Sequence, residues 1–364
     1  MPRLKKIVVQ DFRNISFQEV EFSPNVNCIS GNNGEGKTNL LDAIYYLSMT
    51  KSAFPTPDKF NYRYGTDSFT IGATCSMENG LDSRFSIRVS GEGKKLVRDD
   101  KPVTRFSEHI GVLPVVMVSP GDISLISDSG EERRRLSNAV ISQMDREYLA
   151  AIQSYNRVLA QRNKLLKEPS VDFGLLEVLD ERLSSFAVPV FEGRRLFAER
   201  MLEPVRKFYE MISGGNESVS IAYCSDLQKG SLEQLLARSR ERDVMLRYTS
   251  VGLQRDDFVF SMNGHPIRRV GSQGQQKSFL VALKFAQYEI MGKSYGYNPV
   301  LLLDDVFDKL DMGRISNLVA MVAGNNFSQI FITDSNKVRL SSIVDAVTDE
   351  SAYFVARGGA FTRE

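Results

Sequence analysis

Residues 26–47 read Val26-Asn-Cys-Ile-Ser30-Gly31-Asn32-Asn33-Gly34-Glu35-Gly36-Lys37-Thr38-Asn-Leu-Leu-Asp-Ala-Ile-Tyr-Tyr-Leu47. A short apolar run ends at Ser30, a loop matching G-x-x-x-x-G-K-[ST] follows, and a helical run begins at Asn39. Strand, loop and helix in that order are the context a phosphate-binding loop requires. Glycines let backbone N–H groups turn inward around an anion, and the following helix adds the positive end of its dipole. The spacing therefore assigns Gly31, Asn32, Asn33, Gly34, Glu35, Gly36, Lys37 and Thr38 to a nucleotide's phosphates. Lys37 is expected to reach the β- and γ-phosphates, and the Thr38 hydroxyl to hold Mg²⁺. A glycine-rich turn matching by chance would lack the flanking strand and helix.

Near the other end of the chain, Val300-Leu-Leu-Leu-Asp304-Asp305 is a buried-type strand closing on two carboxylates. Such a strand is the usual source of the Mg²⁺-holding Asp in P-loop NTPases, which points to Asp304. Asp305 is then positioned to orient the attacking water or accept its proton. Its bland alternative is a solvated turn carboxylate. A third segment, Gly271-Ser272-Gln-Gly274-Gln275-Gln276-Lys277, opens a helical run from Ser278 to Ile290. It offers a hydroxyl, backbone donors and a dipole, a second anion site in a chain where Lys37 already serves one. That site makes sense if it closes on a nucleotide held by another subunit. On spacing alone a plain N-cap is the favoured reading.

The whole chain has 364 residues, 42% apolar and 25% charged, the balance of an ordinary globular protein of about two domains. Lys and Arg number 46 against 45 Asp and Glu, which argues against a uniformly basic coat but not against a local basic patch. The longest apolar run, Val112 to Val118, contains Pro114 and is far below the roughly 20 residues of a membrane span. The N-terminal apolar stretch is too short for a signal peptide. Three scattered cysteines exclude a disulfide framework or zinc ribbon, and two histidines make His-based chemistry improbable. These features lead to the expectation of a cytoplasmic protein with no membrane partner.

Texture divides the chain. Lys6–Phe12, Val26–Ser30, Ser68–Ser76 and Arg84–Ser90 read as strands. From Ser129 the period is helical: Ser129 and Glu132 suggest a capping box, and apolar residues recur from Leu136 to Leu159. The expected helix is about 55 Å long. A second helical region, 172–212, contains Pro189 and Pro204 and is expected in two or three pieces. The fold class is thus α/β, with a helical insert and one sheet shared by both chain ends. The expected boundaries are 1–118 and 291–364 for one lobe and 119–290 for a mainly helical second lobe that includes the Ser272 segment.

Taken together, the phosphate loop, the Ser-Gln-Gly-Gln-Gln segment and Leu-Leu-Leu-Asp-Asp resemble the ABC-type ATPase heads of the RecF/SMC/Rad50 group. Within it they are most similar to the RecF family of DNA replication and repair proteins. Phe12-Arg-Asn14, Ser119-Pro-Gly-Asp122, Arg133-Arg134-Arg135, Tyr155-Asn-Arg157, Arg255-Asp-Asp257 and Asn263-Gly264 also resemble landmarks of that family. The resemblance implies ATP and Mg²⁺ as cofactors, with Lys37 and Asp305 catalytic and Thr38 and Asp304 on the metal. It assigns Ser272, Gly274 and Gln275 to a signature that contacts a partner subunit's γ-phosphate, and Asp311, in the loop 308–311, to the face toward that partner. Thr333 falls where transporters of the class carry a switch His. Gly252-Leu-Gln254 and Gly121 depart from the family pattern, as does Lys51-Ser-Ala-Phe-Pro55.

The resemblance also implies an ATP-induced homodimeric clamp, a weak DNA-dependent ATPase acting at gaps and junctions of single- and double-stranded DNA. RecR and RecO would be partners, with RecA loading and SOS induction the outcome. Charge supplies an independent argument. Residues 133–167 hold eight basic side chains (Arg133, Arg134, Arg135, Arg146, Arg157, Arg162, Lys164, Lys167) and two acids. Such a local excess suits sequence-blind phosphate contact; a solvated helix face is the alternative. Arg194, Arg195, Arg200, Arg206 and Lys207 are secondary candidates. The rival functions are an SMC- or Rad50-type structural head, disfavoured because the insert is too short for a coiled-coil arm, and a small-molecule P-loop kinase, which needs neither the Ser272 segment nor the basic helix.

Overall fold

A computed structural model of the chain describes residues 2–54, 56–215, 217–308, 310–324, 327–337, 340 and 350–364. The chain forms two compact units. The first comprises Met1–Ile123, Lys207–Asn216 and Ser272–Glu364; the second comprises Ser124–Arg206 and Glu217–Gly271.

In the first unit, five parallel strands lie in the order Ser351–Arg357, Val26–Ser30, Ile330–Asp334, Val300–Asp304, Val115–Val118, with Ala360–Arg363 added antiparallel at one edge. Every residue of Val26–Ser30, Val300–Asp304 and Ile330–Asp334 is buried. They are mainly apolar and covered on both faces, as parallel strands are, with the polar residues Asn27, Asp304 and Thr333 buried among them. A second, antiparallel sheet contains Ile15–Glu21, Arg3–Phe12, Ser68–Ser76, Asp82–Ser90, Gly93–Arg98 and Lys101–Pro102. Ser68–Ser76 buries alternate residues, the two-residue period of a half-covered strand. The helix Lys37–Met49 touches strands of both sheets. Phe12, Tyr46 and Phe69 meet edge to face around it, with centroids 5.0–6.1 Å apart.

The second unit contains the small sheet Val219–Cys224, Asp257–Met262, His265–Pro266 and a set of helices. Two readings of the helical pattern are corrected here. The helix expected to run unbroken from Ser129 is two helices, Gly130–Met144 and Arg146–Leu165. Asp145 separates them with extended backbone, and its carboxylate caps the second by accepting from the Tyr148 N–H. Ser129 precedes the first helix but makes no side-chain cap bond. Conversely, Phe173–Ser213 is one helix of 41 residues that passes through both Pro189 and Pro204. Ala187, Val190, Met201 and Val205 flank these prolines and are fully buried, so packing offsets the lost backbone bonds. The boundary expected at 290 lies at 271, because Gln273–Tyr295 packs on Val115–Val118 of the parallel sheet.

Candidate nucleotide site

The candidate site forms at one end of the parallel sheet, where strands stop and loops begin. Strand Val26–Ser30 gives way to Gly31, whose φ is +152°. A Cβ on Gly31 would lie 2.6 Å from the Ala356 carbonyl oxygen, so only glycine fits. Gly36, at φ +102°, ends the loop, and a Cβ there would meet the Asn14 amide at 2.7 Å. Lys37 begins the helix and is 4% exposed. Its ammonium folds under the loop and donates to the carbonyl oxygens of Gly31 at 2.6 Å and Asn32 at 3.0 Å. The first helical turn carries no acidic side chain to oppose an anion.

Strand Val300–Asp304 brings the second half of the site. Asp304 pairs in register with Thr333, and its carboxylate lies 2.8 and 3.0 Å from the Thr38 hydroxyl. Thr333 donates to the same carboxylate at 2.7 Å. Burial raises the Asp304 carboxyl above the ordinary carboxylate range, against the hydrogen bonds from Thr333 and Thr38. Asp305 stands next, in left-handed backbone at φ +45°, with its N–H donated to Thr333 Oγ1 at 3.2 Å. Its carboxyl is likewise raised, first by burial, with Lys37 pulling the other way. A hydroxyl and a carboxylate converging beside a buried ammonium form an oxygen-rich pair suited to Mg²⁺, which takes one or two protein ligands and completes its shell with phosphate and water. Thr38 and Asp304 fit that donor set.

The Ser272 segment has the geometry of a reciprocal cap. Ser272 Oγ accepts from the Gln275 N–H at 3.3 Å, and Gln275 Oε1 accepts from the Ser272 N–H at 2.8 Å. Ser272 itself is exposed at the start of helix Gln273–Tyr295. Asp311 is also exposed and caps the helix Met312–Gly324, accepting from the Arg314 N–H at 2.9 Å. Lys309, within the loop 308–311, and Pro55, within the 51–55 departure, lie outside the described residues.

The proposed basic stripe divides into two groups. Arg162 is fully buried, with Asp180 at 2.6 Å, Asp243 at 2.8 Å and Thr249 at 2.9 Å, so it is not a DNA contact. Arg133 is also buried, bidentate on Asp257 at 2.7 and 3.0 Å. Arg134 donates to the Asp256 carbonyl oxygen at 2.6 Å, and Arg135 pairs with Glu131 and Glu132. These arginines serve the unit's own polar network; burial removes Arg162 and Arg133 from the candidate DNA contacts, while Arg134 and Arg135 stay partly exposed. Of the secondary candidates, Arg194 is buried against Asp256, Arg195 and Arg206 pair with neighbouring glutamates, and Lys207 pairs with Glu289. Arg146, Arg157, Lys164 and Lys167 are exposed. The first three lie 11 and 7 residues apart on the helix Arg146–Leu165, about three and two turns, and share one face.

Sequence reasoning gave no role to the residues that brace the loop. Arg13 ion-pairs with the buried Asp42 at 2.7 Å and donates to Asn39 at 3.1 Å and Ser52 at 3.1 Å. Asn14 accepts from Asn39 at 2.7 Å and approaches Gly34. At the loop's other side, the Gly359 N–H donates to the Glu35 carbonyl oxygen at 2.9 Å. The Phe12-Arg-Asn14 landmark was the available signal for the first brace; nothing local pointed to the second.

This fold and this site define an ABC-type P-loop ATPase head. A family model described as an AAA domain matches residues 6–168. The chain is 44% identical to a protein of Parabacteroides distasonis, DNA replication and repair protein RecF, over 98% of both chains. It is also similar to a solved structure of the recombination mediator protein RecF with ATP in the RecFOR pathway, at 29% identity and TM-score 0.89, covering 100% of this chain and 98% of that one. An Smc head domain from Pyrococcus furiosus shares the fold at 18% identity and TM-score 0.59, covering 100% of this chain and 96% of that one. The chain belongs to the RecF family of DNA replication and repair proteins.

Proposed function

We propose that the chain binds ATP and Mg²⁺, pairs with a second copy when ATP is bound, and closes as a clamp on DNA at gaps and single/double-strand junctions. The observation that carries this reading is the convergence of Thr38 and Asp304, at 2.8 Å, beside the buried Lys37 ammonium. Lys37 exchanges its carbonyl partners for phosphate oxygens, and the loop's N–H groups surround the same anion. Thr38 and Asp304 hold the cation, which supplies neutralisation of developing phosphate charge when bound. Asp305, fixed through its N–H by Thr333, orients the attacking water and takes its proton. Ser272, Gly274 and Gln275 of one copy reach the nucleotide of the other. Hydrolysis is weak and DNA-dependent, and it releases the clamp.

The exposed face of Arg146, Arg157 and Lys164 supports phosphate contact without sequence preference. By family, RecR and RecO are its partners in helping RecA load, in the cytoplasm. Sedimentation of the wild type, Lys37→Met and Ser272→Arg, with and without ATP and a gapped duplex, tests the reading. Dimers are expected only for the wild type with ATP. A Lys37→Met protein that still dimerises on ATP addition would sink the mechanism.

A further inference from the structure

Two adjacent residues at the start of the helix Gln273–Tyr295 hold the two acidic segments that border the site. Lys277 donates from Nζ to the Asp305 carbonyl oxygen at 3.3 Å. That oxygen also accepts from the Asp308 N–H at 3.4 Å, while the Asp305 N–H is held by Thr333. Asp305 is thus pinned on both sides in a left-handed conformation that a non-glycine residue keeps only when its surroundings enforce it. The next residue, Ser278, is fully buried and accepts from Arg314 Nη1 at 3.0 Å. Arg314 in turn reaches Asp311 through Nε at 3.2 Å. The helix behind these contacts is rigid, since every residue from Ser278 to Tyr288 is buried.

We propose that Lys277 and the Ser278–Arg314 pair are positioning residues that connect the Ser272 segment to the chain's own Asp305 and Asp311. Ser272 lies five residues before Lys277, about one and a half turns or roughly 8 Å along the helix. A shift of the helix start on meeting a partner's nucleotide therefore moves the Asp305 backbone and the Asp311 loop together. The segment that reads one nucleotide sets the acid that acts on the other. The inference rests on the paired-subunit reading above and adds to it the means by which the two sites sense each other.

The test uses the full chain with Lys277→Met, Lys277→Arg and Arg314→Met. In the nucleotide-free protein, hydrogen exchange at the Asp305 and Asp308 amides is expected to quicken about tenfold in Lys277→Met and to return toward wild type in Lys277→Arg. With ATP and DNA, kcat is expected to fall about tenfold in Lys277→Met and Arg314→Met, with KM changed less than about twofold. Unchanged amide exchange, or a loss seen in KM rather than kcat, overturns the linkage. Should the wild type stay monomeric with ATP, the clamp reading fails, and the exchange measurement still decides the linkage by itself. Ser278→Ala, a smaller change on the Arg314 arm, replaces Arg314→Met if that variant does not fold.

Discussion

Two buried cations in this chain keep different chemical company. Arg162, in the helical unit, is surrounded by the carboxylates of Asp180 and Asp243 and by the Thr249 hydroxyl. Lys37, in the ATPase unit, has two backbone carbonyl oxygens and, among the described residues, no ion pair. Both lie out of water, where an unpaired charge is costly. The first has found its counter-charge within its own unit and holds three segments together. The second donates its hydrogen bonds to carbonyl dipoles, with the Asp304 and Asp305 carboxyls acting on it at longer range, weaker company than a nucleotide's phosphates. A buried cation hydrogen-bonded to carboxylates reports on structure; one hydrogen-bonded to carbonyls at a helix start points to a ligand.

Five variants bear on that contrast. The largest effect on stability is expected from Arg162→Ala, which strands Asp180 and Asp243 in the interior and should cost about 3–5 kcal/mol in denaturant unfolding. Lys37→Met, also buried, should leave the unfolding midpoint unchanged or higher while removing ATP binding. Equal destabilisation by both would erase the distinction. Next, Thr333→Val removes the hydroxyl that serves Asp304 and the Asp305 N–H together, at a cost of about 1–3 kcal/mol. Its effect should appear in ATP turnover more than in ATP affinity, measured by steady-state kinetics and equilibrium titration.

The exposed face comes third. Arg157→Glu combined with Lys164→Glu should weaken duplex binding and lower the salt slope by about 1–2, with no loss of fold. A salt slope equal to the wild type's would remove that face from the DNA interface. The smallest effect belongs to His109. Burial holds its imidazole below the ordinary 6.5, against the Leu47 carbonyl oxygen that accepts from Nε2 at 2.6 Å. A depressed histidine favours the neutral folded form, so its share of stability is present above pH 6.5 and is lost as pH falls below that value. His109→Asn should flatten the fall in unfolding free energy between pH 7.5 and 5.5; an identical slope would show that this ring does not contribute.

Legibility in the sequence followed the range of the interactions. The phosphate loop was readable because its glycines and lysine keep a fixed local spacing, with Gly34 and Gly36 in left-handed backbone, although the close approach that demands Gly31 comes from distant Ala356. Strand Val300–Asp304 was readable because burial on both faces demands an unbroken apolar run. Helix continuity was not. Asp145 breaks a pattern whose apolar period carries on regardless, and Pro189 fails to break one because its neighbours are buried. Part of the basic stripe is interior for a related reason: counting arginines says nothing of which ones, like Arg133 and Arg162, are buried against carboxylates.

By itself, then, the sequence determined the strand–loop–helix with its phosphate-loop pattern, the apolar strand ending in two carboxylates and the mixed α/β class. Each of these shows as a local pattern of residue types along the chain. Tertiary structure alone decided that Arg162 is interior and Arg157 is not, since Asp243 lies 81 residues from Arg162 along the chain. It likewise decided that Thr38 meets Asp304 across 266 residues and that Lys277 reaches Asp305 across 28. The physical reason is the same in each case: a charge or hydroxyl is satisfied by whichever partner the packed chain brings within about 3 Å, and sequence distance places no limit on which partner that is.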